Sequence, residues 1–159
     1  MRAAIALLCA VIAGPAVAGC GSKEDVALSA YTQNPRLAKA ANPFGFKLDG
    51  GVEVVLDLGA YSKGSVQVDG VTIRLCRGDA CGVLPRAKIS TTDGTSFPVT
   101  IDAGSKKTVH YAIAIDQLTP EEMTELCAAP ISISGTVEQH GSNTPMRLGA
   151  TPIAPSGCP

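Results

Sequence analysis

From residue 44 onward apolar side chains recur at every second position, and that period decides what the chain can fold into. Val52, Val54, Leu56 and Leu58 alternate with Glu53, Val55 and Asp57. Val109, Tyr111, Ile113 and Ile115 alternate with His110, Ala112 and Ala114. Ile131, Ile133, Gly135 and Val137 alternate with Ser132, Ser134 and Thr136. Successive side chains of a strand point to opposite faces, so each stretch has one apolar face and a second, more polar one. Apolar faces must be buried against each other, and two sheets stacked face to face achieve this.

Turn residues divide the pattern. Phe44, Phe46 and Leu48 alternate before Asp49-Gly50-Gly51, where a turn is expected. Asp69-Gly70 lies between residues 66–68 and 71–75, as a hairpin turn or as a bulge at Gly70 in one long strand. On either reading Cys76 faces away from Val71, Ile73 and Leu75. Residues 87–91 form a weak strand, and Asp93-Gly94 a turn. Phe97, Val99 and Ile101 alternate again, with Pro98 marking an edge strand. Met146, Leu148 and Ala150 make the last strand, before a Pro-rich tail ending near Cys158. One helix is signalled. Thr119-Pro120-Glu121-Glu122 is a capping box with Pro at the first helical position, giving a short helix to about residue 126. Asn34-Pro35 has the same look, so residues 36–41 read as a helical turn or as irregular linker.

The expected fold is therefore all-β: an immunoglobulin-like or fibronectin-III-like two-sheet sandwich of seven or eight short strands. The run Phe97-Pro98-Val99-Thr100-Ile101-Asp102-Ala103-Gly104, followed by residues 108–115, resembles such modules in bacterial envelope proteins. The resemblance spans roughly residues 52–153 as a pattern. The buried Trp and inter-sheet disulfide of antibody domains are absent from it.

The first residues belong to a different kind of segment. Arg2 precedes an apolar run over residues 3–13, broken by Gly14-Pro15. That length suits a signal-peptide core and falls short of the roughly 20 residues a membrane-spanning helix needs. Ala16-Val17-Ala18 offers an ordinary cleavage site, and Val17-Ala18-Gly19-Cys20 resembles the lipobox of bacterial lipoproteins. Cysteine arithmetic separates the two. Of six cysteines, Cys9 leaves with the signal; a free Cys20 would leave an odd five in an oxidising compartment. An acylated Cys20 leaves Cys76, Cys81, Cys127 and Cys158, which can all pair. The resemblance implies more than one acyl chain on Cys20, which stable anchoring requires. Gly21 rather than Asp after it implies sorting to the outer membrane, if the source has one. The organisation expected is a signal peptide at 1–19, a lipidated terminus and linker at 20–43, and a sandwich domain at 44–159.

Removal of 19 residues leaves 140, enough for one domain, with net charge −2 and no basic block. Nucleic acid as a partner lacks its electrostatic footprint. The expected partners are the membrane, through the lipid on Cys20, and an unidentified envelope protein. Four cysteines allow three pairings. The four-residue gap between Cys76 and Cys81 suits a closed hairpin, which pairs Cys127 with Cys158. Metal binding is not expected, because no second close pair exists and export favours disulfides.

Other chemistry is sparse. Arg77-Gly78-Asp79 lies between Cys76 and Cys81 and is the tripeptide that integrin ligands display, though Gly-Asp is also ordinary turn chemistry. His110 sits on the polar face of a strand and His140 in a turn; neither has an acidic or thiol neighbour at ligand spacing, so both are expected to be solvated. No Ser stands in a nucleophile elbow, and no Gly-rich loop opens a helix to cradle phosphate, so no cofactor is expected. Glu121, Glu122 and Glu125 suit a helix N-terminus. Tyr61 is expected as a partly buried loop anchor. The reading that follows is a membrane-anchored, non-enzymatic binding or scaffolding module. The alternatives are an adhesin using Arg77-Gly78-Asp79, and an enzyme whose site the sequence does not reveal.

Overall fold

A computed structural model describes residues 28–77, 84 and 86–158. The elements run β1 (Ser29–Asn42), β2 (Gly45–Asp57), β3 (Val66–Arg77), β4 (Ala87–Thr91), β5 (Val99–Ile101), β6 (Lys106–Leu118), α1 (Pro120–Cys127), β7 (Ile131–Gln139) and β8 (Met146–Ile153). They form two four-stranded sheets, ordered β1-β2-β6-β4 and β5-β3-β7-β8. Every pairing within them is antiparallel. The expected two-sheet sandwich is the fold, and the strand order matches the A-B-E-D and C-F-G sheets of immunoglobulin domains. β5 adds an edge beside β3 and is reached after β4.

Four strands are 12 to 14 residues long, longer than the short strands expected. Two expected turns are instead run through. At Asp49-Gly50-Gly51, β2 continues straight. A Cβ on Gly50 would clash with the Arg36 carbonyl oxygen, and one on Gly51 would sit 2.6 Å from the Tyr111 oxygen. These glycines permit close approach of neighbouring backbones. At Gly70 the register shifts between Val68 and Gly70, so the bulge reading holds and the hairpin reading does not.

The largest correction concerns residues 29–42. They are neither helix nor linker but β1, an edge strand paired with β2 from Ser29↔Asp57 to Asn42↔Gly45. Asn34 adopts φ 49° and the register shifts between Gln33 and Arg36. Asn tolerates the left-handed region, and a bulge on an edge strand accommodates the missing N–H of Pro35. The Asn-Pro signature of a helix start was thus the signature of a bulge. The sandwich begins no later than Ser29, not at residue 44.

The core lies between the sheets. Leu48, Val54, Leu56, Val109, Ile113 and Ile115 from the first sheet meet Val68, Leu75, Ile131, Ile133 and Val137 from the second, all buried. Each large aliphatic side chain so buried contributes about 1.5–3 kcal/mol. Helix α1 closes the end near Leu118 with Met123 and Leu126. Its capping box forms as expected, Glu122 N–H donating to Thr119 Oγ1 and Thr119 N–H to Glu122 Oε2. Hydrogen bonding to Thr119, then the nearby Arg86, lowers the Glu122 pKa. The C-terminal tail returns along β1: Lys39 N–H donates to Ser156 O, and Ser156 N–H to Leu37 O. Cys158 then bonds Cys127 at the end of α1. The tail covers an edge that would otherwise offer unpaired backbone groups.

Candidate functional site

The outer face of the first sheet carries an open groove of about 570 Å³. Its floor is set by Gly51 and Ala112, residues without bulk. Arg36, Gly51, Ala112 and Ser90 lie in one row across β1, β2, β6 and β4. The next row places Glu53 opposite His110. Asn34, Arg36, Glu53, Thr92 and His110 line the walls.

His110 is the hub of the polar wall. Its backbone N–H donates to Asp93 Oδ2 at 3.0 Å, and Thr92 N–H donates to its carbonyl at 2.9 Å. The ring is held between two carboxylates, Nδ1 3.3 Å from Asp93 Oδ2 and Nε2 3.7 Å from Glu53 Oε1. Asn34 Nδ2 donates to Glu53 Oε2 at 2.9 Å, so the bulge in β1 positions that carboxylate. Both ring nitrogens face carboxylates on opposite sides. Both nitrogens are thus engaged by carboxylates, and no group of three or more metal-ligating side chains occurs among the described residues. Arg36 is exposed and makes no ion pair among the described residues. The groove thus offers a free cation beside a fixed carboxylate–imidazole line, suited to an extended polar segment.

Asp93 anchors this wall. Its pKa is held well below 3.8, first by the Thr95 hydroxyl, then by the backbone N–H groups of Thr95 and His110. A depressed carboxylate contributes stability above its unfolded value, and that contribution is lost as pH falls. Asp93→Asn is expected to lower stability at pH 7, with the gap narrowing as pH drops from about 5 to about 2. Urea unfolding at both pH values checks this; an equal gap would assign the effect to lost geometry rather than to charge. Tyr111 is buried, with a hydroxyl that has no hydrogen-bond partner among the described residues. Burial, then the Asp93 charge, pushes its pKa up to about 12, so it stays neutral.

The residues singled out from sequence are scattered. Cys127 and Cys158 are bonded as expected, Cα atoms 5.6 Å apart. Cys76 is likewise in a disulfide. It accepts from Ser134 Oγ at 3.2 Å on the outer face of the second sheet, away from Ile73 and Leu75. Cys20, Gly78, Asp79 and Cys81 lie outside the described residues. Arg77 donates to Glu125 Oε2 at 3.0 Å, so the cation of the tripeptide is already engaged by α1. Arg86 pairs likewise with Glu122. Both histidines are exposed, as expected, and each also meets carboxylates: His140 Nδ1 lies 3.0 Å from Asp69 Oδ2, and His110 has the two carboxylates above. Tyr61 is 89% exposed, so it is not a buried anchor.

Arg36, Glu53 and Asp93 escaped sequence reasoning because they converge on His110 only through strand register. The one usable signal was Gly50-Gly51, a pair of residues without side chains inside an otherwise strong strand pattern. No family model, curated protein or solved structure matches the chain.

Proposed function

We propose that the protein is an exported lipoprotein, anchored in the cell envelope through Cys20, whose sandwich is a non-enzymatic binding or scaffolding module. The anchor is supported by Val17-Ala18-Gly19-Cys20 and by the cysteine count. The Cys127–Cys158 disulfide supports an oxidising compartment. Gly21 supports the outer membrane as its destination. The observation that carries the binding reading is the open groove across β1, β2, β6 and β4, with Arg36 free beside Glu53 and His110. An extended polar segment of an envelope protein fits it: a carboxylate for Arg36 and backbone donors for Glu53. The adhesin alternative fits less well, because Arg77 is committed to Glu125.

A photo-reactive residue at Ala112, on the groove floor, is expected to crosslink one discrete envelope protein in intact cells. Arg36→Glu should abolish that adduct by reversing the free charge. An adduct unchanged by Arg36→Glu, or none at all, would remove the groove from consideration as the binding surface.

A further inference from the structure

The start of β1 fixes which end of the sandwich lies nearest the anchor. Leu28 is buried and Ser29 pairs with Asp57, so the chain enters the domain where β2 ends. Cys20 is eight residues before Leu28, which limits its reach to about 28 Å even if fully extended. The opposite end, at the turn between β1 and β2, holds Phe44, 85% exposed. The 13 residues of β2 place it about 40 Å away. A tether this short does not let the Phe44 end point toward the bilayer.

The near end has a feature suited to a lipid surface. Tyr61 stands four residues after Asp57 and is the most exposed aromatic side chain among the described residues. Its loop is braced: Leu58 N–H donates to Ser105 O, Gly104 N–H to Leu58 O, and Ser62 N–H to Gly59 O. Gly104, at φ 75°, brings the neighbouring loop against Ala60. The ring is therefore displayed by a hydrogen-bonded loop. Tyr side chains favour the headgroup region, where the ring leaves water and the hydroxyl keeps it. One such contact is weak alone, but a short tether raises its effective concentration.

We propose that the Tyr61 end of the sandwich rests on the lipid headgroup surface, with Tyr61 entering the interface and the Phe44 end presented away from it. This rests on the reading of Cys20 as the acylated anchor. The chain has no Trp, so Tyr61→Trp and Phe44→Trp each create a single fluorophore at an exposed site that leaves the core untouched. Each full-length protein, extracted from membranes, is reconstituted in vesicles of phosphatidylethanolamine and phosphatidylglycerol. Emission at position 61 is expected to shift to shorter wavelength and to be quenched by lipids spin-labelled near the headgroup, while position 44 stays water-like and unquenched. Mass spectrometry of the N-terminal peptide reads the anchor separately. An acylated Cys20 with position 61 unquenched, or with both positions quenched alike, overturns the docking alone. A terminus without acyl chains overturns the anchor reading and the docking with it.

Discussion

Replacing Cys127 and Cys158 together by serine is expected to cost about 3–4 kcal/mol, the loop-closure entropy released over their separation of 31 residues. The loss has a second part. The bond holds the tail whose Ser156 pairs with Leu37 and Lys39 on β1. Once the tail is released, β1 presents unpaired N–H and C=O groups along an edge, a template for pairing with another chain. The double variant should therefore unfold at lower denaturant and also self-associate as concentration rises. Chemical denaturation checks the first, light scattering the second. An unchanged midpoint would mean that the β1–tail hydrogen bonds hold without the covalent link.

Gly50→Ala is expected to cost about 3 kcal/mol, the upper part of the overpacking range, and to lower the melting temperature by about 10 °C for a domain this size. The new methyl would collide with the Arg36 carbonyl oxygen and lie 2.9 Å from Leu37 Cα, both backbone atoms. No rotamer relieves such a clash. β1 must move off β2 just where its bulge brings it close, and the groove wall formed by Asn34 and Arg36 moves with it. Gly149→Ala, with nothing within 4 Å of the new carbon and no positive φ, is the matched control and should be near neutral. Thermal unfolding of the pair decides it: equal melting temperatures would show that β1 and β2 separate at Gly50 without cost.

Legibility in the sequence followed how local each signal was. The capping box of α1 needs four consecutive residues, and Thr119 to Glu122 supply them. The alternation in β6 and β7 is a property of single strands, and its apolar set is the buried set. Pro98 correctly marked an edge, since β5, which it precedes, pairs among the described residues only with β3. The misreadings share one cause. Asn34-Pro35 favours a helix start and Gly50-Gly51 a turn when considered alone, and Asp69-Gly70 left a hairpin and a bulge both open. Each sits at or beside a bulge or close strand approach, which becomes visible only with the neighbouring strand in place.

Local chemistry along the chain thus determined the class of fold, the helix and most strand faces, while the Cys127–Cys158 pair was one of three pairings the sequence allowed. Register decided the rest. Which strand lies beside which sets whether Glu53 meets His110, whether Asp93 reaches the same ring, and whether Arg36 stands over a floor of Gly51 and Ala112. Alternation within a strand depends on backbone geometry alone, whereas lateral order depends on how two apolar faces and the connections between strands close together. That closure is a property of the whole chain, and no window of sequence contains it.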